Sequence, residues 1–280
     1  MSIAALGLLV EVEQLFAHLH HPKLRILDVS RESVFAQLHI PQAISVSPRE
    51  LVTSEDFVTG LLPSQERLQA FFTRLAISPD HHVVVYDDEG GAWAGRLLWN
   101  LHVAGFTQTS FLNGGIHAWL AASLPISNQT FIPEAVEQVF QVHDLSPCNY
   151  RIEYAELAVQ VQQRDVQLWD CRSKEEYSGE RLAARRGGHI PGALWYEWSN
   201  LFDRKNHLKL YPLTTIKQQL EQRGFHLSQP VVVYCQSHHR SGLAYIIARL
   251  LDWQVRVYDA AWSEWGNRLD SAVVNGELSS

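Results

Sequence analysis

One cysteine, Cys235, stands where an apolar stretch ends and a basic loop begins. The residues before it, Val231–Tyr234, form a continuous apolar run, which is typical of a strand buried on both faces of a parallel sheet. After the loop Gln236–Arg240, apolar residues recur at helical spacing over Gly242–Leu251. The thiol is therefore expected at the carboxyl end of a strand, where open α/β sheets bind their ligands. This placement makes Cys235 the candidate nucleophile.

The loop after Cys235 is suited to holding a thiolate. Its backbone N–H groups have no partners within the following helix, and a loop that curls around the sulfur points them at it. His238, His239 and Arg240 add basic side chains. Cysteines in such settings have pKa values lowered from about 8.5 to about 3.5–7.5, and a shift of about two units is worth roughly 2.7 kcal/mol. On residue type alone, a buried cysteine that serves as a small apolar side chain remains the competing interpretation.

Four blocks of sequence recur in the same order in the two halves of the chain. The pairs are LRILDVSRESVF (24–35) with VQLWDCRSKEEY (166–177), HIPQAISV (39–46) with HIPGALWY (189–196), HVVVYDDEGGAWAGRLLWNLHVAGF (82–106) with PVVVYCQSHHRSGLAYIIARLLDWQ (230–254), and FLNGGIHAWL (111–120) with VYDAAWSEWG (257–266). The repeat is far longer than the roughly 20–50 residues of a solenoid unit, so it indicates duplicated domains. We predict a first domain over 1–126, a Pro-, Ser- and Asn-containing linker over 127–147, and a second domain over 148–280.

Strand and helix patterns alternate in both halves. In the second half we predict helices over 153–164, 214–223 and 242–251, and strands over 166–170, 231–234 and 255–258. In the first half, a strand over 6–10 and a helix over 12–20 explain the N-terminus better than a signal peptide, because no Lys or Arg precedes the apolar residues. The alternation predicts the α/β class, with an open, mainly parallel sheet flanked by helices in each domain.

The repeat supplies an internal control for Cys235. Asp87 occupies its position in the first half, and the residues after it are acidic and glycine-rich. A cysteine that only packs is not expected to alternate with aspartate, because a carboxylate is costly in an apolar pocket. We therefore predict a catalytic second domain and a non-catalytic first domain.

Residues that recur in both halves are interpreted differently. Asp28 and Asp170 are predicted to fix the turns after their strands, and His39 and His189 are predicted to be structural. Cys171, whose counterpart is a valine, is predicted to be a packing residue.

Composition restricts the partners. The formal charge is -7 and no run of Lys or Arg occurs, so neither nucleic acid nor a membrane is an expected partner. Three cysteines (Cys148, Cys171, Cys235) without a C-x-x-C pair argue against a disulfide framework and favour a cytoplasmic location. Adjacent histidines at 81–82 and 238–239 point to opposite faces when they lie on a strand and then cannot bind the same metal ion, so we predict no metal site. We also predict no cofactor.

In these blocks the chain resembles the two-domain, rhodanese-type sulfurtransferases. The resemblance is carried by LDVSRESVF, WDCRSKEEY, GGHIPGALWY, VVVYCQSHHRSGLA and VYDAAWSEWGN, and it spans nearly the whole chain. It implies that Cys235 accepts a sulfane sulfur as a persulfide and passes it to an acceptor. That acceptor is cyanide in an assay, or a small or protein thiol in the cell.

Loop length and charge bear on the substrate. Four residues separate Cys235 from Arg240, whereas the related phosphatases resemble this fold but have one residue more, so sulfur is favoured over phosphorus. The basic loop favours an anionic donor such as thiosulfate and lacks the small, glycine-containing loop of mercaptopyruvate enzymes. 3-Mercaptopyruvate remains an alternative donor. A non-catalytic docking or redox-sensing module is a second alternative, and phosphatase activity is the weakest.

The predicted donor-binding residues are Gln236, Ser237, His238, His239, Arg240 and Arg186. Arg185 and Arg186 precede GGHIPGA, where the mercaptopyruvate enzymes present a donor-binding arginine. We choose Arg186 because a guanidinium suits bidentate contact with an anion, with a solvated surface arginine as the competing interpretation.

Two further contacts are predicted. The resemblance pairs Arg172 with Glu175 or Glu176 as a structural ion pair. Trp262, in AAWSEWG beside the expected mouth of the site, is predicted to line the donor pocket.

Overall fold

The computed structural model describes residue 3 and residues 6–145 and 149–276, and the chain divides into two compact units. The first unit comprises Met1–Leu51, Pro63–Pro147 and Phe202–Leu210, and the second comprises Val52–Leu62, Cys148–Leu201 and Tyr211–Ser280. Each unit thus includes one short segment from the half of the sequence that otherwise builds the other. The contiguous boundaries 1–126 and 148–280 stay a prediction. Cys148, to which we assign no role, lies outside the described residues.

The elements follow one another along the chain in the order expected of an α/β protein. The strands are β1 Leu9–Val10, β2 Leu24–Asp28, β3 Ala43–Ser45, β4 Thr53–Glu55, β5 Val58–Leu61, β6 His82–Tyr86, β7 Thr109–Leu112, β8 Gln167–Asp170, β9 Ala193–Trp195, β10 Phe202–Asp203, β11 Lys209–Leu210, β12 Val231–Tyr234 and β13 Val255–Val257. The helices are α1 Val12–His18, α2 Glu32–Gln37, α3 Gln65–Arg74, α4 Ala92–Val103, α5 Gly115–Ala121, α6 Tyr154–Gln163, α7 Lys174–Ser178, α8 Leu213–Gln222, α9 Ser241–Leu250 and α10 Ala261–Trp265.

The first unit is built on a five-stranded sheet in the order β1-β7-β6-β2-β3. All neighbouring strands in it are parallel. The two central strands β2 and β6 are buried at every position, as their continuous apolar character requires. Their register places Asp28 beside Tyr86, so Asp87 leaves the sheet at its carboxyl edge.

The second unit repeats this plan with four parallel strands in the order β13-β12-β8-β9. The strand β12 lies in the middle, and all four of its residues are buried. It pairs with β8 so that Tyr234 lies beside Asp170. Cys235 therefore follows the last paired residue of β12, at the carboxyl edge of the sheet where the sequence pattern predicts it.

The predicted fold class is confirmed, and the predicted elements of the second half agree with the structure to within two residues at each end. Helix α8 ends as expected, because Gly224 after it adopts the left-handed conformation with φ +89°. The N-terminal strand is shorter than predicted, since only Leu9 and Val10 pair with β7. Among the described residues, no helix has both the length and the apolar composition that crossing a bilayer requires.

Two antiparallel hairpins were not predicted. The hairpin β4–β5 belongs to the second unit, and the hairpin β10–β11 belongs to the first. Within the first unit, the backbone N–H of Leu210 donates to Asn113 (2.8 Å), and Lys209 forms an ion pair with Glu11 (2.8 Å). These contacts depend on residues far apart in the chain, for which local sequence patterns carry no signal.

Candidate active site

The loop that carries Cys235 is tied by its backbone to the start of helix α10. The N–H of Trp262 donates to the carbonyl oxygen of Cys235 (3.1 Å), and the N–H of Ser263 donates to that of Gln236 (2.8 Å). The carbonyl groups of the loop are thereby directed at α10, which leaves its N–H groups facing the opposite way. This arrangement fixes the backbone around the thiol before any substrate is bound.

The sulfur of Cys235 is fully buried in a polar setting. The Ser241 hydroxyl donates to it (3.4 Å). Burial by itself raises the pKa of this thiol. The charge of Arg240 and hydrogen bonds from Ser241 and from the backbone of Ser237 outweigh burial and lower the pKa below its ordinary value. The predicted thiolate therefore has a physical basis in this loop.

Cys171 shows what burial does without such a loop. It follows β8 as Cys235 follows β12, and it is equally buried. Burial raises the pKa of Cys171 well above its ordinary value, and the negative charges of Cys235 and Asp170 add to the effect. This thiol stays protonated, in keeping with the packing role predicted for it.

Arg240 is held by a carboxylate behind the loop. Its two terminal nitrogens donate to the two oxygens of Glu176 at 2.5 and 2.9 Å. Glu176 is 1% exposed, and the bidentate contact lowers its pKa to about 2 although burial acts in the opposite direction. Arg240 is thus a fixed cation near the sulfur, and its terminal nitrogens already have an anionic partner.

Glu176 owes its position to the start of helix α7. Ser173 caps this helix, because its hydroxyl accepts the N–H of Glu176 (3.4 Å), while the Glu176 carboxylate accepts the N–H of Ser173 (3.2 Å). This reciprocal arrangement is a capping box. The same carboxylate therefore terminates a helix and orients Arg240.

His238 lies inside the loop and not on its surface. It is fully buried, and its Nδ1 lies 2.9 Å from the Ser241 hydroxyl that contacts the sulfur. Its φ of +49° is uncommon for a residue with a side chain, and the matching position in the first half is Gly90, at φ +94°. Strained conformations of this kind persist at sites where the surroundings impose them.

The partly exposed residues of the loop form the rim of the site. Gln236 is fixed by a hydrogen bond from its side-chain amide to the carbonyl oxygen of Ala183 (2.9 Å). The ring of His239 lies 6.4 Å from that of Trp198, and both are partly exposed, as is Ser237. Contact between these side chains and a donor anion stays a prediction.

Comparisons with known proteins agree with this geometry. The family model of the rhodanese-like domain matches the chain twice, over residues 11–122 and 153–268. The chain belongs to the rhodanese family. The predictions of a tandem rhodanese fold and of a sulfurtransferase enzyme are confirmed.

Curated relatives match over almost their full length. The chain is 39% identical to a thiosulfate sulfurtransferase of Azotobacter vinelandii, over 97% of this chain and 98% of that protein. It is 28% identical to the 3-mercaptopyruvate sulfurtransferase of Escherichia coli, over 94% of this chain and 96% of that protein. Among solved structures, the chain is similar to SseA from Escherichia coli, which is described with the 3-mercaptopyruvate sulfotransferases. The two superpose with a TM-score of 0.78 at 25% identity, covering 92% of this chain and 100% of that one.

The first rhodanese domain keeps the loop but fills it with its own anion. The carboxylate of Asp87 accepts the backbone N–H groups of Glu89 (3.1 Å), Gly91 (2.8 Å) and Ala94 (3.0 Å). Burial raises the pKa of Asp87 to about 6, against the effect of these hydrogen bonds. The loop thus serves here as a closed structural turn.

In the second rhodanese domain, Arg186 is held by the C-terminal segment. Its guanidinium donates to the carbonyl oxygens of Ser271 (2.7 Å) and Trp265 (2.9 Å), and it also contacts Arg268 and the Ser271 hydroxyl. Arg185 next to it is exposed. Contact between Arg186 and a donor anion stays a prediction, and it would require the guanidinium to exchange some of these partners.

Two of the sequence-based expectations are wrong. Arg172 pairs with Asp170 (2.6 Å), because Asp170 ends β8 and Arg172 follows it by two residues, while Glu176 pairs with Arg240. Trp262 is fully buried, with the guanidinium of Arg172 4.3 Å from its ring centroid, so this ring does not line an open pocket.

The structural roles predicted for recurring residues are confirmed by their contacts. Asp28 and Asp170 each accept the N–H two residues further on, at 2.7 and 3.0 Å. His39 stacks on Phe35 with centroids 3.9 Å apart, and His189 stacks on Tyr177 at 3.7 Å. Each imidazole also bonds to the carbonyl of its stacking partner.

The sequence analysis missed Glu176 and Ser241 as members of the site. A signal for both was present, because their counterparts in the first domain are Val34 and Ala94. A position that is apolar in the copy with Asp87 and polar in the copy with Cys235 is a candidate for chemistry.

Proposed function

We propose that the protein transfers the outer sulfur of thiosulfate to a thiophilic acceptor through a persulfide on Cys235. The observation that carries the proposal is the polar loop that lowers the pKa of a fully buried thiol. A thiolate is the form of cysteine that attacks sulfur, and a loop that favours the thiolate also favours the persulfide anion. The proposed location is the cytoplasm.

The reaction balances without an oxidant or a cofactor. The Cys235 thiolate attacks the outer sulfur of thiosulfate, and the sulfur–sulfur bond of the donor breaks with its electron pair leaving on sulfite. A nucleophilic acceptor, cyanide or a thiolate, then attacks the outer sulfur of the persulfide. The electron pair of that bond returns to Cys235, and the product is thiocyanate or a persulfide of the acceptor. A protein thiol is included among the proposed acceptors.

Both backbone and side-chain groups around the sulfur of Cys235 stabilise its negative charge. The N–H groups of Ser237 and Ser241 and the Ser241 hydroxyl stabilise negative charge on whichever sulfur occupies the loop. Arg240 supplies a fixed positive charge, and Glu176 holds it in place. Because Cys235 has no exposed surface, the donor reaches it only when rim side chains such as Gln236 or His239 move aside.

The position of Arg240 also argues against phosphoryl transfer. A phosphatase of this loop type needs a guanidinium that forms two hydrogen bonds with the phosphate. Both terminal nitrogens of Arg240 are bound to Glu176 instead. The short loop and the ion pair of Arg240 with Glu176 therefore favour sulfur transfer over phosphoryl transfer.

A test of the proposal compares sulfur loading from two donors. Incubation with thiosulfate should add the mass of one sulfur atom at Cys235. With cyanide as the acceptor in both assays, turnover with thiosulfate should exceed turnover with 3-mercaptopyruvate. Cys235→Ser should abolish loading without unfolding the protein. Cys171→Ser is the matched control and should load normally, because that thiol is protonated and buried.

Faster turnover with 3-mercaptopyruvate would replace the proposed donor and leave the persulfide step intact. Loading from neither donor would contradict the proposal and favour a docking or redox-sensing role for the second domain.

A further inference from the structure

The hairpin β4–β5 touches the loop of Cys235 within the second unit, at Gly60. This glycine has a φ of +82° and lies directly against the backbone of Ser237. A Cβ placed on Gly60 would lie 2.6 Å from the carbonyl carbon of Ser237 and 2.8 Å from its Cβ, with the carbonyl oxygen nearer still. Only a residue without a side chain allows this approach.

The hairpin is anchored on both sides of Gly60. The N–H of Thr59 donates to the hydroxyl of Ser263 (3.0 Å), and that of Leu62 donates to the carboxylate of Asp259 (2.8 Å). Asp259 is 1% exposed and is fixed in turn by Arg151 (3.0 Å). Because both anchors are short and partly or fully buried, a steric conflict at Gly60 is not relieved by retreat of the hairpin.

One residue connects the hairpin and the loop directly. Ser263 contacts Thr59 through its hydroxyl, while its backbone N–H donates to the carbonyl oxygen of Gln236 (2.8 Å). The hairpin, the start of α10 and the loop are therefore fixed to one another around Ser237. A displacement of the Ser237 backbone would also displace its N–H, which is one of the donors to the sulfur of Cys235.

We propose that Gly60 is a positioning residue for Cys235, and that its missing side chain lets the hairpin hold the loop closed on the sulfur. A segment from the first half of the sequence thus completes the catalytic loop of the second. This inference rests on the proposed role of Cys235 as the nucleophile.

Gly60→Ala tests the contact, and the chain offers a matched control in Gly192→Ala. Gly192 also belongs to the second unit and has nearly the same φ, +79°, but a Cβ there meets nothing within 4 Å. Both substitutions impose the same backbone strain, and only the first pushes on the loop. The comparison therefore separates the contact with Ser237 from the general cost of a side chain at positive φ.

The measurement is the rate of alkylation of Cys235 by iodoacetamide as a function of pH, read at that residue by mass spectrometry. For Gly60→Ala we expect the thiol pKa to rise by about one unit, which slows alkylation about tenfold on the acidic side of the profile. The rates should converge at alkaline pH, where the thiol is ionised in every variant. Gly192→Ala should follow the wild-type profile. Its melting temperature should fall only by the cost of a side chain at positive φ, and that of Gly60→Ala should fall further because of the added conflict with Ser237.

An unchanged profile for Gly60→Ala would overturn the proposal, as would an equal shift for Gly192→Ala. If Gly60→Ala is not recovered folded, Ser263→Ala tests the same contact by removing the hairpin's anchor. It should raise the thiol pKa in the same direction but less, and an unchanged pKa would also overturn the proposal. Alkylation needs no sulfur donor, so a failure of wild-type sulfur loading would reject the proposed function without deciding this point.

Discussion

The two strand-end loops, at Asp87 and at Cys235, have the same backbone plan around different anions. In each, the residue two positions on turns its N–H toward the anionic side chain. In each, a backbone N–H near the start of a later helix donates to the carbonyl oxygen of the strand-end residue. Ile116 of α5 donates to Asp87 (3.2 Å), and Trp262 of α10 donates to Cys235 (3.1 Å). The difference teaches that the anion-holding backbone belongs to the fold and does not by itself make a catalyst.

The loop at Cys235 differs in its side chains. It is one residue shorter, since the N–H of Ser241 bonds to Cys235 as that of Ala94 bonds to Asp87, so Arg240 and Ser241 correspond to Trp93 and Ala94, and Glu176 corresponds to Val34. These changes add a fixed cation, Arg240, and a hydroxyl, that of Ser241, to the loop. The carboxylate of Glu176 forms an ion pair with the cation. We therefore expect the reactivity of the thiol to depend on these three side chains together with the cysteine.

The largest expected effect comes from exchanging the two anions. Cys235→Asp should abolish sulfur loading while keeping the melting temperature near that of the wild type, because Asp87 shows that such a loop accommodates a carboxylate. The reciprocal variant, Asp87→Cys in a Cys235→Ser background, should not restore turnover, because Trp93, at the position of Arg240, supplies no cation. An unfolded Cys235→Asp, or wild-type turnover by the reciprocal variant, would break the comparison.

Removal of Arg240 should have the next largest effect. Arg240→Ala leaves the carboxylate of Glu176 buried without its cation, which costs about 3–5 kcal/mol of unfolding free energy in comparable pairs. It should also raise the pKa of Cys235 and slow turnover at neutral pH, since the charge of Arg240 lowers that pKa. Denaturant titration and a thiocyanate assay measure the two effects.

The double variant Glu176→Gln, Arg240→Ala sharpens this result. It should recover most of the lost stability, because no charge is left unpaired, but it should not recover turnover. Recovery of both would mean that the charge of Arg240 does not act on the sulfur.

The smallest effect concerns the pH dependence of stability and distinguishes the first loop from the second. Burial raises the folded-state pKa of Asp87 from 3.8 to about 6, so the folded chain binds this proton more tightly than the unfolded chain. The stability that this carboxyl contributes is full below about pH 4 and is lost as the pH rises through about 6. The unfolding free energy of the wild type minus that of Asp87→Asn should thus fall between pH 4 and pH 7.5, by on the order of 2–3 kcal/mol. A flat or rising difference would contradict the assignment.

The position of the nucleophile could be predicted from sequence because two local signals coincide there. The apolar run of β12 fixes the strand, and the repeat reveals that Asp87 and Cys235 are equivalent. Both signals depend on residues that are close in the chain or aligned between copies. The same reasoning located the strands and helices of the second half.

The contacts that complete the site could not be predicted in this way. Whether Glu176 pairs with Arg172 or Arg240 depends on which way the side chains leave their elements, and spacing does not show that. The engagement of Arg186 depends on the course of the C-terminal segment, which has no regular pattern. Gly60 contacts Ser237 across most of the length of the sequence, and a glycine in a short strand carries no sign of its partner.

The exchanged hairpins have a consequence for how the chain is made. A ribosome releases residues 52–62 early, yet the rest of the unit that they join is translated much later. The first half must likewise wait for residues 202–210. Neither unit is complete when its own half of the sequence leaves the exit tunnel, so we expect the two units to finish folding together late in synthesis. If the chain were cut in the segment between the halves, each fragment would lack a hairpin that its unit requires.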